Sequence, residues 1–501
     1  MAIVLATPGV YIEEKSAFAS SVVPVATAVP AFLGYTQKAA RGSKSLKNVP
    51  TKISSFAEFD QFFGGPPKVK FTISEDASTV TGYNLKVDSS TLFILHSAVK
   101  FFYSNGGGDC YILSVGDYSS GISAKDFNDD ATGAGMPQLL KYSEPTLLVI
   151  PEATLLSSPE CSSLQQAMLM HCGFNTQSRF AILDVHNGDK DRTYDESDVI
   201  NQFREGVGAN FLQWGAAYYP FVQTTIVSSG DINFTQIDNK ADLIEILSKN
   251  VNADLESGAI NEARADAIKE ELAKIDTAST KEEISSLQST LKVVSPKLNS
   301  ILSEIAESLN LLPPSSGMAG IYAMVDSSIN VAKAPANLSL GSVIRPSVQI
   351  TSKIQEELNL PLNGKAINAI RTFQGKGVLV WGARTLDGNS QDWRYISVRR
   401  TMTFLEQSIK AAAEGYVFEP NNSTTWSTLK ATVTNFLLNQ WQSGILAGQS
   451  PDDAFSVSIG LGTTMTPNDI LDGILKLTVK VAISRPAEFI VITFEQQQQK
   501  S

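Results

Sequence analysis

The sequence is poor in the side chains on which most enzymes and metal sites depend. Its 501 residues include three histidines and three cysteines, at His96, His171, His186, Cys110, Cys161 and Cys172. An odd number of scattered cysteines with no CxxC pair indicates reduced, buried thiols in a chain that folds in a cytoplasm. His171 and Cys172 are adjacent, and neighbours on a helix point apart, so they do not form a metal-binding pair. We predict no metal site and no cofactor.

Charged residues are also few, and acidic residues outnumber basic ones. Charged residues make up 18% of the chain, below the usual quarter, and 40 Lys plus Arg against 51 Asp plus Glu give −11. Surfaces that bind nucleic acid or anionic membranes need basic stripes, so neither is predicted as a partner. Hydrophobic residues reach 43%, which is too many for a disordered chain.

Long apolar runs are also missing. No stretch is long enough to cross a bilayer, and the starting run MAIVLAT ends at Pro8 without a basic segment before it. We therefore expect synthesis in the cytoplasm without a signal peptide. Release to the outside would then occur by lysis or within an assembly.

The N-terminal segment has an unusual composition. Residues 7–14 (TPGVYIEE) join a turn signal to a short β-prone run, and residues 16–30 are small, β-branched and nearly uncharged. Pro24 and Pro30 disfavour a helix there. Two interpretations remain open: a strand in the chain's own sheet, or an extended arm that adds a strand to another subunit.

The next part of the chain has an α/β pattern. Residues 50–115 predict helices at 57–63 and about 91–103 and a strand at 110–115, with three glycines at 106–108. Phosphate-binding loops run from strand to glycines to helix, the reverse of the order here, so we predict a helix end and a turn.

Strands and helices then alternate. Strands are predicted at 145–151, 179–184 and 216–222 and helices at 164–172 and 201–207, with a further strand at 377–381. This alternation is typical of a largely parallel sheet.

Residues 238–311 differ in character. Apolar side chains recur at helical spacing, Thr280 and Glu283 form a capping box, and charge is concentrated here. These features predict a projecting helical insertion.

The C-terminal part combines helices with alternating strands. Apolar faces at 398–412 and 426–437 predict two helices, and alternation at 455–461, 475–483 and 490–494 predicts three strands. The last residues, 496–501, are a polar tail.

One arrangement could suggest a hydrolase. Asp184 ends a predicted strand, and Ser316 lies in a segment that resembles the nucleophile turn of subtilisin-like proteases. A catalytic triad needs a histidine placed apart from the aspartate, but His186 follows Asp184 by two residues. Without a placed general base Ser316 stays a weak nucleophile, so we predict no enzyme.

Several segments, in this order along the chain, resemble the contractile tail sheath proteins of phages and phage-like injection systems. The segments are residues 7–14, 53–59 (ISSFAEF), 101–108 (FFYSNGGG), 313–317 (PPSSG) with the stretch up to Ala323, 333–337 (KAPAN), 377–386 (GVLVWGARTL), 393–395 (WRY), 398–400 (VRR), 417–421 (VFEPN) and 485–489 (RPAEF). They cover most of the chain except the helical insertion.

The resemblance implies an α/β fold class. A subtilisin-like mixed α/β sheath domain would lack its catalytic triad, and an α+β C-terminal domain would take part in strand exchange between subunits. The implied domains are an extended arm at 1–30, a small α/β region at 31–130, the sheath domain at 131–385 with the helical insertion at 238–311, the C-terminal domain at 386–486, and a strand with a polar tail at 487–501.

The implied function is structural. Such subunits polymerise into stacked hexameric rings around an inner tube and contract to drive that tube through a target envelope. The implied partners are further copies of the chain, the inner tube protein, and baseplate and cap proteins, without nucleic acid or membrane insertion. The particle would be a phage tail, a bacteriocin or a cell-targeting injection device. Two alternatives remain: a minor sheath isoform at the baseplate or cap end, and a degenerate subtilisin-like hydrolase.

The resemblance also singles out site residues. The expected inter-subunit strand residues are Val10, Tyr11, Ile12, Val22, Val23, Ile490, Val491, Ile492 and Phe494. Charged residues expected to face another subunit or the tube are Arg399, Arg400 and Glu406.

Overall fold

The computed structural model describes residues 22–489 and Val491, and the structural findings below concern those residues. The chain divides into two compact units: residues 27–399 form one, and residues up to 26 together with those from 400 onward form the other. Among the described helices none is both long enough and apolar enough to cross a membrane.

The described strands and helices follow one another along the chain as two numbered series. The strands are β1 Pro30–Thr36, β2 Ala40–Arg41, β3 Lys44–Ser45, β4 Thr51–Ile53, β5 Phe71–Glu75, β6 Tyr83–Val87, β7 Cys110–Asp117, β8 Asn128–Asp129, β9 Ala134–Gly135, β10 Leu147–Val149, β11 Phe180–Asp184, β12 Gly215–Tyr219, β13 Val222–Thr224, β14 Leu311–Leu312, β15 Leu338–Ser339, β16 Val343–Pro346, β17 Asn368–Phe373, β18 Gly377–Trp381, β19 Phe455–Ile459 and β20 Leu477–Val481. The α-helices are α1 Phe56–Phe63, α2 Leu95–Ser104, α3 Ala124–Phe127, α4 Ser158–Met170, α5 Val199–Gly206, α6 Lys240–Glu256, α7 Glu262–Thr277, α8 Lys281–Val294, α9 Pro296–Leu309, α10 Ser315–Ser328, α11 Ser352–Asn359, α12 Ile396–Glu414, α13 Ser423–Gln442, α14 Pro451–Ala454 and α15 Pro467–Leu471.

The larger unit is built on a nine-stranded mixed sheet with the order β15-β18-β17-β12-β11-β10-β1-β7-β4. The six strands from β17 to β7 are mutually parallel, and antiparallel strands flank them on both sides. Strands β1, β10, β11 and β12 are buried along their whole length, as expected for parallel strands covered on both faces. The prediction of a largely parallel sheet is confirmed.

Side chains alternate between two cores on the two faces of this sheet. Ala31, Leu33 and Tyr35 of β1 pack with α4 and α5, whereas Phe32 packs with α1, α2 and α10. The period of two along a strand directs each side chain to one face or the other.

A third core belongs to the helical insertion, and it includes a hairpin that the sequence patterns did not assign to it. Helices α6–α9 bury their apolar faces together with Phe71, Ile73 and Tyr83 of the β5–β6 hairpin. The predicted capping box of Thr280 and Glu283 is present at the start of α8.

The glycines at 106–108 end a helix, as predicted. Gly106 has a φ of +86°, which favours glycine, and it comes directly after Asn105, the C-cap residue of α2. A Cβ atom on Gly107 would lie 2.5 Å from the ring of Phe102, so a larger residue would not fit. Strand β7 then begins at Cys110, which makes the segment a turn between helix and sheet.

In the smaller unit, the predicted helices and two of the three predicted strands are confirmed. Helices α12 and α13 are in contact, with the tilted rings of Phe404 and Phe436 6.1 Å apart. Strands β19 and β20 pair antiparallel, with Val457 opposite Val479. Of the third predicted strand, 490–494, only Val491 lies within the described residues.

Candidate functional site

The smaller unit presents a two-stranded sheet with an accessible edge. Strand β20 pairs with β19 through residues 477–481, and within the described part of the chain no other strand pairs with these five residues. Beyond them the sheet continues only as a bridge between Leu446 and Ile483. An unpaired strand edge is a ready template for a further strand.

A groove runs between this strand and helix α12. It has a volume of about 600 Å³, and its apolar lining comes from Met402, Leu405, Ile409, Leu477, Val479 and Val481. Glu406, Lys410 and Lys480 contribute charged groups to the same groove. An open strand edge beside an apolar groove can bind an extended segment: the backbone groups pair, and alternate side chains enter the groove.

The predicted strand residues fall into two groups. Val10, Tyr11, Ile12, Ile490, Ile492 and Phe494 lie outside the described residues. Val22 is buried, whereas 71% of Val23 and 88% of Val491 are exposed. Exposure of an apolar side chain at both ends of the described chain is compatible with contacts to another subunit, and that role stays a prediction.

The three predicted interface charges are placed differently from one another. Glu406 is exposed, whereas Arg399 and Arg400 each expose only 5% of their surface. The guanidinium of Arg399 lies between two indole rings, 4.2 Å from that of Trp214 and 4.3 Å from that of Trp393. Both faces of this guanidinium therefore make cation–π contacts within the larger unit. An inter-subunit or tube-facing role for these charges stays a prediction.

The hydrolase-like arrangement has the geometry of a structural contact. The Ser315 amide, at the start of α10, donates a 2.8 Å hydrogen bond to Oδ1 of Asp184. Burial raises the pKa of Asp184 to about 7, although this hydrogen bond favours the ionised form. The hydroxyl of Ser316 is buried and has no hydrogen-bond partner among the described residues. The carboxyl group thus fixes the start of a helix, where the helix dipole favours it.

His171 and His186 both contact neighbouring polar groups of the fold. Nε2 of His186 is 3.0 Å from the carbonyl oxygen of Leu156, and Nδ1 is 3.1 Å from the side-chain amide of Asn187. His171 lies 2.6 Å from a guanidinium nitrogen of Arg179, and burial together with that cation lowers its pKa to about 3. The described residues contain no group of three His, Cys, Asp or Glu side chains that could hold a metal ion.

Both the sequence and the fold of this chain are similar to those of known sheath proteins. Residues 389–497 match the family model described as phage tail sheath C-terminal domain. The fold matches the helical sheath of the anti-feeding prophage (AFP) in its contracted state, with a TM-score of 0.62 and 28% identity, covering 99% of this chain and 100% of that one.

Two further solved structures match over the same extent. The sheath complex of the extracellular contractile injection system PVC, in its contracted state, gives a TM-score of 0.60 at 26% identity, covering 99% of both chains. A chain of the AFP baseplate gives 0.60 at 28% identity, covering 99% of this chain and 100% of that one. Among curated proteins no sequence matches significantly.

Proposed function

We propose, on the premise that this chain belongs to the contractile tail sheath family, that it is the structural subunit of a contractile sheath. Copies assemble into stacked hexameric rings around an inner tube, and contraction of the assembly drives the tube through a target envelope. The observation that carries the proposal is the match, over nearly the whole of both chains, to the contracted helical sheath of AFP.

Strand exchange is the proposed means by which the copies are held together. The edge of β20 and the groove beside α12 would receive β-prone segments of neighbouring copies: residues 10–12 from one, and 490–494 from another. Each backbone hydrogen bond contributes about 0.5–1.5 kcal/mol net, so several in each arm form a durable link. Residues 16–28 would act as the linker that lets the rigid units rotate while the strands stay paired.

The larger unit is proposed to be a subtilisin-like scaffold without catalytic function. Its support is the six-stranded parallel part of the mixed sheet together with Asp184 and Ser316, whose positions along the chain resemble those of protease residues. Because Asp184 holds the start of α10 and His186 contacts a backbone carbonyl, these groups stabilise the unit. The domain limits at 31–130, 131–385 and 386–486 belong to the same proposal.

The force of contraction would come from a change in how the subunits of the sheath pack together. A sheath with two packing arrangements does work when the contracted arrangement buries more contact area than the extended one, and a barrier keeps the extended form until a trigger.

A second candidate is a minor sheath isoform near the baseplate. The match to a chain of the AFP baseplate has the same sequence identity, 28%, as the match to the helical sheath. Copy number per particle separates the two: a main sheath protein is present in every ring, and an isoform in one or two.

Negative-stain electron microscopy of the purified full-length chain tests the proposal. We expect hollow tubes or rings of sixfold symmetry. A protein that stays monomeric at all concentrations, alone and with its inner tube protein, would contradict it.

A further inference from the structure

The segment that follows strand β1 is basic, in a chain that is acidic overall. Residues 37–57 contain five lysines and arginines and no aspartate or glutamate, although the whole chain carries −11. Four of the five are exposed on or beside the β2–β3 hairpin: Lys38, Arg41, Lys44 and Lys47. None of these four forms an ion pair with any residue that the structure describes. We call this surface the basic hairpin.

The basic hairpin places like charges opposite each other. Arg41 pairs across the hairpin with Lys44, and like charges in directly opposed positions destabilise a strand pair. The hairpin nevertheless has a fixed position, because Leu46 is buried and its amide donates a 2.9 Å hydrogen bond to the carbonyl of Ala39. An arrangement that costs folding energy is typical of a surface that meets an oppositely charged partner.

An acidic loop lies in the same unit. The outward acidic residues of the segment after β11 are Asp189, Asp191, Asp195 and Glu196, and none forms an ion pair among the described residues. Of the loop's two cationic side chains, Lys190 is exposed, whereas Arg192 points inward and bonds Asp198 at 2.8 Å and Glu357 at 2.5 Å. Asp198 also accepts hydrogen bonds from the amides of Thr193 and Tyr194, which fixes the loop. We call residues 189–196 the acidic loop.

The basic hairpin and the acidic loop both lie at the carboxyl end of the parallel strands. Strands β1 and β11 are parallel, with β10 between them, so the hairpin and the loop both follow carboxyl ends of strands. Strand spacing puts those ends about 10 Å apart. Because each surface is fixed on its own strand and no ion pair joins the two, their charges remain available for another molecule.

We propose that the basic hairpin of one copy docks on the acidic loop of a second copy of this chain. The inference rests on the proposed function, since it requires a polymer of this chain. A hollow of about 570 Å³ between the hairpin and α1, lined by Lys38, Arg41, Glu58 and Phe62 among others, receives the acidic side chains. The guanidinium of Arg41 is held 5.3 Å from the centre of the Phe62 ring.

The contact joins two different surfaces, so it is heterologous. Contacts of this kind propagate from copy to copy and close into rings or continue as helices. Its strength falls with ionic strength, because exposed charges are screened over about 8–10 Å at physiological salt.

Charge reversal tests the pairing. We expect Arg41→Glu with Lys44→Glu, and separately Asp191→Lys with Glu196→Lys, to slow polymerisation about tenfold or more, since like charges then face each other. The fourfold variant should recover most of the rate. A control with the same charge change, Arg264→Glu with Lys281→Glu on the helical insertion, should polymerise like the unaltered chain. If the hairpin reversal matches this control, the inference is wrong.

Disulfide trapping tests the geometry. The three native cysteines are buried, so introduced thiols are the reactive ones. A polymer formed from a mixture of Lys44→Cys chains and Asp191→Cys chains should yield crosslinked dimers containing one of each. Dimers of Lys44→Cys alone, or no crosslink in an intact polymer, overturn the inference.

The two proposals fail in distinguishable ways. If the unaltered chain forms no polymer, the proposed function fails. If it polymerises and the hairpin reversal changes only binding to anionic vesicles or nucleic acid, the proposed function stands and this inference is overturned.

Discussion

The backbone amide of Val25 donates a 3.2 Å hydrogen bond to Oγ of Ser408 in helix α12. Val22, three residues earlier, is buried, and residues up to 26 belong to the same compact unit as the C-terminal part of the chain. Residues 22–26, which directly follow the N-terminal segment, therefore belong to the unit that also carries the open edge of β20. This arrangement makes the first twenty residues the natural target of a first test.

Deletion of residues 1–20 should leave a folded chain that no longer polymerises. The three hydrophobic cores and the Val25–Ser408 contact lie outside the deleted segment, so the fold retains its support. Circular dichroism and thermal melting check folding, and sedimentation with electron microscopy checks assembly. Sheaths of normal appearance from the shortened chain would refute the role given to this arm.

A charge placed in the groove should block assembly more than folding. Val479 lines the groove and is half-buried, whereas its neighbour Thr478 is exposed on the other side of β20. We expect Val479→Asp to reduce the polymerised fraction about tenfold, because a carboxylate is poorly accommodated among apolar side chains. Thr478→Asp is the matched control. Equal effects of the two changes on assembly would argue against the groove as a binding site.

Replacement of Ser316 by alanine should leave assembly unchanged. The buried hydroxyl has no partner in the described structure, so its removal also relieves a desolvation cost of about 1 kcal/mol or more. Melting temperature should stay equal or rise. Any peptidase activity of the unaltered chain that disappears in this variant would support the hydrolase alternative instead.

Stability should decline as pH rises from about 4 to about 7. Burial raises the pKa of Asp184 from 3.8, and that of Glu152 from 4.5, to about 7 in the folded chain. The unfolded chain therefore loses its protons first, and the folded state is disfavoured by up to about 1.4 kcal/mol per pH unit for each group until its folded pKa is passed.

Asp184→Asn isolates one of these two contributions. The asparagine oxygen can still accept the hydrogen bond from the Ser315 amide, but the side chain no longer titrates. Denaturant unfolding between pH 4 and pH 8 should show a shallower decline for this variant. An identical pH profile would show that Asp184 does not titrate in this window.

The helical insertion should be removable only together with the β5–β6 hairpin. Phe71 and Ile73 are almost fully buried against helices α6–α9, so deletion of the helices alone exposes them. We expect that shortened chain to aggregate and to bind hydrophobic dyes. Joint replacement of residues 69–88 and 232–308 by short linkers should give a dispersed protein. Equal solubility of the two variants would contradict the shared core.

The sequence predicts local features well because their determinants lie close together. The Thr280–Glu283 capping box and the glycine turn at 106–108 each depend on a few neighbouring residues, and both are confirmed. Sheet formation from buried runs such as 179–184 is likewise a matter of period and composition.

Contacts between distant segments could not be predicted. Arg399 is stacked between Trp393, six residues away, and Trp214, which is brought near only by the folded sheet. In the same way, nothing in residues 71–87 indicates that they pack against helices more than 150 residues later. The groove beside β20 depends on the relative placement of α12 and a hairpin about 70 residues downstream.

Cryo-electron microscopy of the assembled polymer tests strand exchange most directly, by tracing both ends of each chain from Val22 and from Phe489. The account predicts that residues 10–12 and 490–494 pair with sheets of two neighbouring copies, extending the edge formed by β19 and β20. Density that returns both ends to the sheet of their own chain, in a polymer that is otherwise intact, would contradict it.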